Sequence, residues 1–167
     1  MSQGPSGDRQ QLRQLAETIQ ALDREQQALK SEIEGLRNQQ GAIDGAIRGI
    51  KTLEDGSTVQ VPLGGGAYVR AEVQNIDEIV VDLGGDYAAE REQAGAIESL
   101  EAKRDRLDDR IAEVEAEVEE IEEESSELEQ RAQQAQQQMQ QQQMQGMGGL
   151  SEQLGGSDKG QDDESDE

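Results

Sequence analysis

Apolar residues recur along the first part of the chain at alternating spacings of three and four. With Leu12 at heptad position a, the a series reads Leu12, Ile19, Gln26, Ile33, Gln40 and Ile47, and the d series Leu15, Leu22, Leu29, Leu36, Ile43 and Ile50. Ten of these twelve positions are apolar, and the register never breaks, which is the pattern of a helix burying a narrow seam against a partner helix. It predicts a helix over residues 12–52. At ~1.5 Å per residue its heptads would span roughly 58 Å. A second series has Ile97, Arg104, Ile111, Val118 and Ser125 at a, and Leu100, Leu107, Val114, Ile121 and Leu128 at d. It continues through Ala132, Ala135 and Met139 and predicts a helix of similar length over 88–139.

Between the two the period drops to two and Gly and Pro punctuate the chain. Runs rich in Val and Ile predict strands over 58–63, 68–73 and 78–83, with a short fourth around Tyr87. Gly64, Gly65 and Gly66 supply the turn of one hairpin, and Gly84 with Gly85 that of a second. Val59, Val61 and Leu63 then share one face, as do Val69, Ala71 and Val73, and Ile79, Val81 and Leu83. Isolated hairpins are marginal in water and leave strand edges unpaired, so residues 57–89 are expected to associate with other copies or partners. The fold class expected is mainly α, an antiparallel two-helix coiled-coil hairpin with two small β-hairpins between the helices.

The ends read differently. Residues 1–11 are polar with Gly4, Pro5 and Gly7, residues 133–145 hold ten Gln, and residues 146–167 are Gly-rich and acidic. Little apolar surface offsets the entropy of ordering them, so disordered tails are expected over 1–11 and 140–167.

Composition narrows the function. Only 32% of the 167 residues are hydrophobic and two are aromatic, too few for a large globular core but enough for a seam. The net charge of −23 repels a nucleic-acid backbone and an anionic membrane surface alike. No apolar run approaches the ~20 residues that span a bilayer, and no signal-peptide pattern opens the chain, so a cytoplasmic protein without nucleic-acid or membrane partners is expected. Cys and His are absent, which removes thiolate nucleophiles, imidazole bases and the usual ligands of zinc, copper and haem iron. No catalytic residue, cofactor or metal is expected, and no enzymatic activity. Such acidity, with 11 Arg among 15 basic residues, suits a salt-rich interior, where a Debye length of ~3 Å at ~1 M screens like charges.

Three features bear on chemistry. Residues 113–129 hold ten Glu and neither Lys nor Arg; seam residues interleave them, so a solvated helix face is the simplest reading, and no calcium-loop spacing appears. The Gly64–Gly66 run lacks the following Lys of a phosphate-binding loop. The third feature is geometric. Antiparallel helices place the β segment at one end and bring Leu12, Leu15 and Ile19 near Ile121, Leu128 and Met139 at the other. Fraying there would expose apolar side chains, including a soft Met, to a non-native polypeptide.

The succession of a helix, VPLGGGAYVRAEV, EIVVDLGGDY and a second helix resembles the α-class subunit of archaeal prefoldin, over residues 12 to 139. The second hairpin is the distinguishing mark, since β-class subunits carry one. The resemblance implies a hexamer of two α and four β subunits joined through β-barrels built from the hairpins. It implies an ATP-independent chaperone that holds unfolded polypeptides at its coiled-coil tips and passes them to a group II chaperonin. Carried over by position, Val59, Val61, Leu63, Val69, Val73, Ile79, Val81 and Leu83 would form the assembly body. Leu12, Leu15, Ile19, Ile121, Leu128 and Met139 would lie at the client-binding tip. Two other readings stay open at this point: an oligomeric coiled-coil scaffold that binds no client, and an acidic module that binds a basic partner through residues 113–129.

Overall fold

The structure, a computed structural model, describes residues 5–154. In chain order the elements are α1 (Pro5–Thr52), β1 (Thr58–Gly64), β2 (Ala67–Glu72), β3 (Ile79–Gly84), β4 (Tyr87–Arg91) and α2 (Gln93–Leu154). The described residues cluster into two units, one of residues 26–120 and one of residues 5–25 with 121–154.

In the 26–120 unit the helices run antiparallel, because partners on α2 fall in number as those on α1 rise. Arg37 pairs with Glu115, Gln40 with Asp108 and Asp44 with Arg104. The core here is the seam itself: Ile33, Ile111, Val114 and Val118 are buried, and Leu29 and Leu36 pack against them. Every a and d position of both heptad series is buried or half-buried, including Gln26, Gln40, Arg104 and Ser125.

The strands form two separate antiparallel hairpins, β1–β2 and β3–β4. Val59 lies opposite Ala71 and Val61 opposite Val69, while Ile79 faces Arg91 and Val81 faces Ala89. Each hairpin turns through two residues with positive φ, Gly65–Gly66 and Gly85–Asp86, the mirror-image turn whose twist matches that of the strands. A register shift precedes each turn, at Pro62/Gly64 and at Asp82/Gly84.

Three boundaries differ by more than a residue from those read off the sequence. Helix α2 begins at Gln93 and not at Ala88, because Ala88–Arg91 pairs with β3 although its residues favour helix. Helix α1 begins at Pro5, so residues 5–11 are helical in place of the expected disordered tail. Helix α2 runs to Leu154 and makes residues 140–154 helical, again in place of expected disorder. An established helix propagates at the cost of one residue per hydrogen bond, and Gln and Met are good helix formers. The rest of the expected tails, residues 1–4 and 155–167, lies outside the described residues.

Side-chain bonds between distant positions build the junction of helices and hairpins. Gln93 Nε2 donates to the carbonyls of Ile50 at 2.8 Å and Leu53 at 3.2 Å, supplementing the Leu53 N–H that also reaches Ile50 at the end of α1. The Asp77 carboxylate accepts from the Gln93 N–H and caps α2 from the loop between β2 and β3. The Asp55 carboxylate accepts from the Ile76 N–H, tying that loop to the end of α1.

Candidate functional site

Two surfaces present apolar side chains to solvent. The first is the β1–β2 hairpin. Alternation puts Val59, Val61 and Leu63 on one face of β1, with Val69 and Ala71 on the same face of β2 through the cross-strand pairs. Val61 and Val69 are exposed and Leu63 is 69% exposed, whereas Val59 and Val73 are half-buried. The β3–β4 hairpin repeats this pattern with a different outcome. Val81 is only 4% exposed, and Ile79 and Leu83 are half-buried. Lys103 of α2 reaches this hairpin, its Nζ 3.3 Å from the Asp82 carbonyl and 3.5 Å from the Asp82 carboxylate. Each described sheet has two strands, so every strand keeps one edge of backbone N–H and C=O groups without a partner strand.

The second surface belongs to the unit of residues 5–25 and 121–154. Here Leu12, Leu15, Ile19, Ile121, Leu128 and Met139 are all half-buried, because they occupy seam positions between the helices. An open cleft of about 350 Å³ is lined by both helices, with Asp8, Gln11 and Leu15 from α1 facing Arg131, Gln134, Ala135, Gln138, Met139 and Gln142 from α2. The cleft brings Leu15 and Met139 together. Leu12, Ile19, Ile121 and Leu128 do not line it. The next turns of α2 carry Met144, Met147 and Leu150, which are 80%, 78% and 63% exposed. Sequence composition assigns these three to a tail; their spacing of three residues is the signal that points instead to one helix face.

The electrostatics are those of a solvated helix pair. Hydrogen bonding to Glu32 and Glu113 raises the Arg110 pKa, and bonding to Asp44 raises that of Arg104. The Gly84 N–H, and after it the charge of Lys103, hold the Asp82 carboxyl below its ordinary value. Among the described residues no group of three or more Asp or Glu is placed to hold a metal ion, and no helix is long and apolar enough to cross a membrane. The arrangement offers apolar faces and strand edges for contact with other chains.

The chain is similar to known proteins. The family model described as prefoldin subunit matches residues 22–145. Prefoldin subunit alpha of Halorubrum lacusprofundi is 64% identical over 109 residues, which is 65% of this chain and 72% of that protein. Prefoldin subunit alpha of Haloarcula marismortui is 54% identical over 107 residues, 64% of this chain and 70% of that protein. A chain in the cryo-EM structure of filamentous PFD from Methanocaldococcus jannaschii is 28% identical and covers 70% of this chain and 93% of its own, with a TM-score of 0.47.

Proposed function

We propose, from the premise that the chain belongs to the prefoldin family as an archaeal α-type subunit, that it holds unfolded polypeptides without nucleotide and delivers them to a group II chaperonin. The family is one of chaperones, and membership implies assembly with other prefoldin subunits. In this reading the partners are β-class subunits in a hexamer of two α and four β, working in the cytoplasm at high salt.

The observation that carries the reading is the uncovered apolar face of β1–β2, with Val61, Leu63 and Val69 exposed beside unpaired strand edges. Such a face is unfavourable in an isolated chain and fits assembly into a shared barrel. Val59, Val73, Ile79 and Leu83 complete the assembly surface, the last two when the second hairpin also enters a barrel, whereas Val81, assigned to the same body by position, is already buried within the chain. Clients are held along the helix pair at Leu12, Leu15, Ile19, Ile121, Leu128 and Met139, of which Leu15 and Met139 line one cleft. Half-buried in the resting seam, these side chains become available as the helix ends fray.

Replacing Leu12, Leu15, Ile121 and Leu128 together with Ser tests the division of labour. With a β-class partner present, sedimentation should show the same assembly as the parent, while capture of a fluorescently labelled denatured protein should fall at least ~10-fold, as loss of several apolar contacts requires. Unchanged capture would leave a scaffold, not a chaperone subunit, as the better reading. Loss of capture only in company with loss of assembly would remove the separation between body and tip.

A further inference from the structure

The two hairpins carry the same alternation, yet only the second is covered. On β3–β4 the Val81 face, with Ile79, Leu83 and Ala89, is buried or half-buried, whereas the equivalent Val61, Leu63 and Val69 of β1–β2 are exposed. The difference has a counterpart on α2. Over its first three turns Ala96 is fully buried and Ser99 and Lys103 are half-buried, although none of them belongs to the heptad seam of Ile97, Leu100 and Arg104. Spacings of three and four put these residues in one stripe beside the seam. The next positions in that progression, Arg106 and Arg110, are exposed, so the extra cover ends where Lys103 meets Asp82. Small side chains at Ala96 and Ser99 let a strand approach closely, and the Ser99 hydroxyl is already satisfied, donating to the Gly95 carbonyl at 2.8 Å.

The connections differ as well. One residue, Glu92, separates β4 from α2, while residues 53–57 and 73–78 link β1–β2 to its neighbours. Lys103 lies ten residues along α2 from Gln93, a rise of ~15 Å. Asp82 pairs with Ala88, which is ~13 Å out along β4 from Glu92. The two spans match, so hairpin and helix are joined at both ends of a common length. One joint is covalent, through Glu92. The other lies near the turn, where Lys103 Nζ reaches the Asp82 carbonyl at 3.3 Å and the Asp82 carboxylate at 3.5 Å. Among the described residues no side-chain hydrogen bond or ion pair gives β1–β2 a second attachment of that kind.

We propose that Lys103 is a positioning residue that braces β3–β4 against α2, so that this hairpin meets partner subunits in one fixed orientation while β1–β2 adjusts to them. The proposal rests on the assembly reading above and names the residue that sets its geometry. The Asp82 carboxylate is exposed, and the ionic part of the contact is screened by salt. The bond to the backbone carbonyl and the burial of the half-covered Lys103 stem persist in molar salt. Lysine suits the place, because its ammonium group carries three donors on a slender stem and can serve both oxygens. The pairs that cross the seam use Arg37, Arg104 and Arg110 instead.

The chain has no Cys, so pairs of nitroxide labels on introduced cysteines can be read by pulsed electron paramagnetic resonance in the full chain, alone and assembled with a β-class partner. Ala88→Cys with Ala112→Cys reports β3–β4 against α2, and Ala67→Cys with Ala112→Cys reports β1–β2 against α2; all three positions are exposed. In the chain alone the first distance distribution should be narrow and the second broader. Lys103→Met keeps the stem and the helix propensity and removes the donors. It should broaden the first distribution at least ~2-fold and weaken co-assembly at least ~5-fold, as an oriented element that loses its pre-organisation does. The second distribution and the helical circular dichroism should not change. Lys103→Arg, which can donate to the same oxygens, should restore the narrow distribution and the co-assembly. An unchanged first distribution in Lys103→Met would overturn the brace. Broadening of both distributions with loss of helical signal would overturn it in favour of a general stabilising role. A broadened first distribution with parental co-assembly would overturn the orienting role. A parent that keeps the narrow distribution and does not assemble with a β-class partner would contradict the assembly reading while supporting the brace.

Discussion

Val114→Ala probes what holds the two helices together. Val114 is fully buried in the cluster of Ile33, Ile111 and Val118, against which Leu29 and Leu36 pack. The substitution removes two methylene equivalents, a transfer loss of ~1.6 kcal/mol at ~0.8 each. A residual void of roughly 40 Å³ would add ~1 kcal/mol at ~24 cal/mol per Å³. Ala is the better helix former by ~0.5 kcal/mol, so the net expectation is a loss of ~2 kcal/mol. Urea unfolding followed by circular dichroism reads it, with chain and salt concentrations held fixed because association shifts apparent stability. The exposed substitution Met144→Gln serves as the control and should stay within ~0.5 kcal/mol of the parent. An unchanged or raised midpoint for Val114→Ala would mean that helix propensity outweighs seam packing, and would refute the seam as the core that joins the helices.

Gln93→Ala removes two side-chain hydrogen bonds to the end of α1, and at ~0.5–1.5 kcal/mol per hydrogen bond the loss should be roughly 1–3 kcal/mol. Faster amide exchange in the last turn of α1 would check it. Replacing Val61 and Leu63 with Asp should leave the helical signal intact and abolish co-sedimentation with a β-class partner, because two charges would enter the proposed assembly face; persistent co-sedimentation would exclude β1 from that interface. Bonding by the Gly84 N–H, and then the Lys103 charge, lower the Asp82 pKa, so its stabilising contribution is fully present above the ordinary carboxyl value of about 4 and is lost as pH falls through the lowered folded-state pKa. The Gly84 amide resonance should shift over that acid range in the parent and not in Asp82→Asn; a flat parental titration would contradict the bond.

The helices are legible in the sequence because a seam leaves a repeating mark: every heptad position named from Leu12 to Leu128 is buried or half-buried in the structure. The hairpins are legible because their turns need positive φ, which Gly supplies at Gly65, Gly66 and Gly85, with Asp86 taking the remaining position. The start of α2 is not, since the helix-favouring Ala88–Arg91 segment is recruited by pairing with β3, a tertiary effect that overrides local preference. The caps that Asp77 and Gln93 provide join positions far apart in sequence and leave no local signature. Nor can alternation alone tell that Val81 is buried while its counterpart Val61 is exposed, because both hairpins carry the same pattern. The stripe of Met144, Met147 and Leu150 is hidden by its surroundings: Gln and Gly composition signals disorder, while the helix propensity of Gln carries α2 through the segment.

The most direct test of the chaperone reading is light scattering from a denatured protein diluted into molar KCl without nucleotide, with this chain supplied together with a β-class partner. Suppression of aggregation at near-stoichiometric amounts is the predicted result. Aggregation that proceeds as in buffer, with the assembly confirmed intact in the same sample, would contradict it.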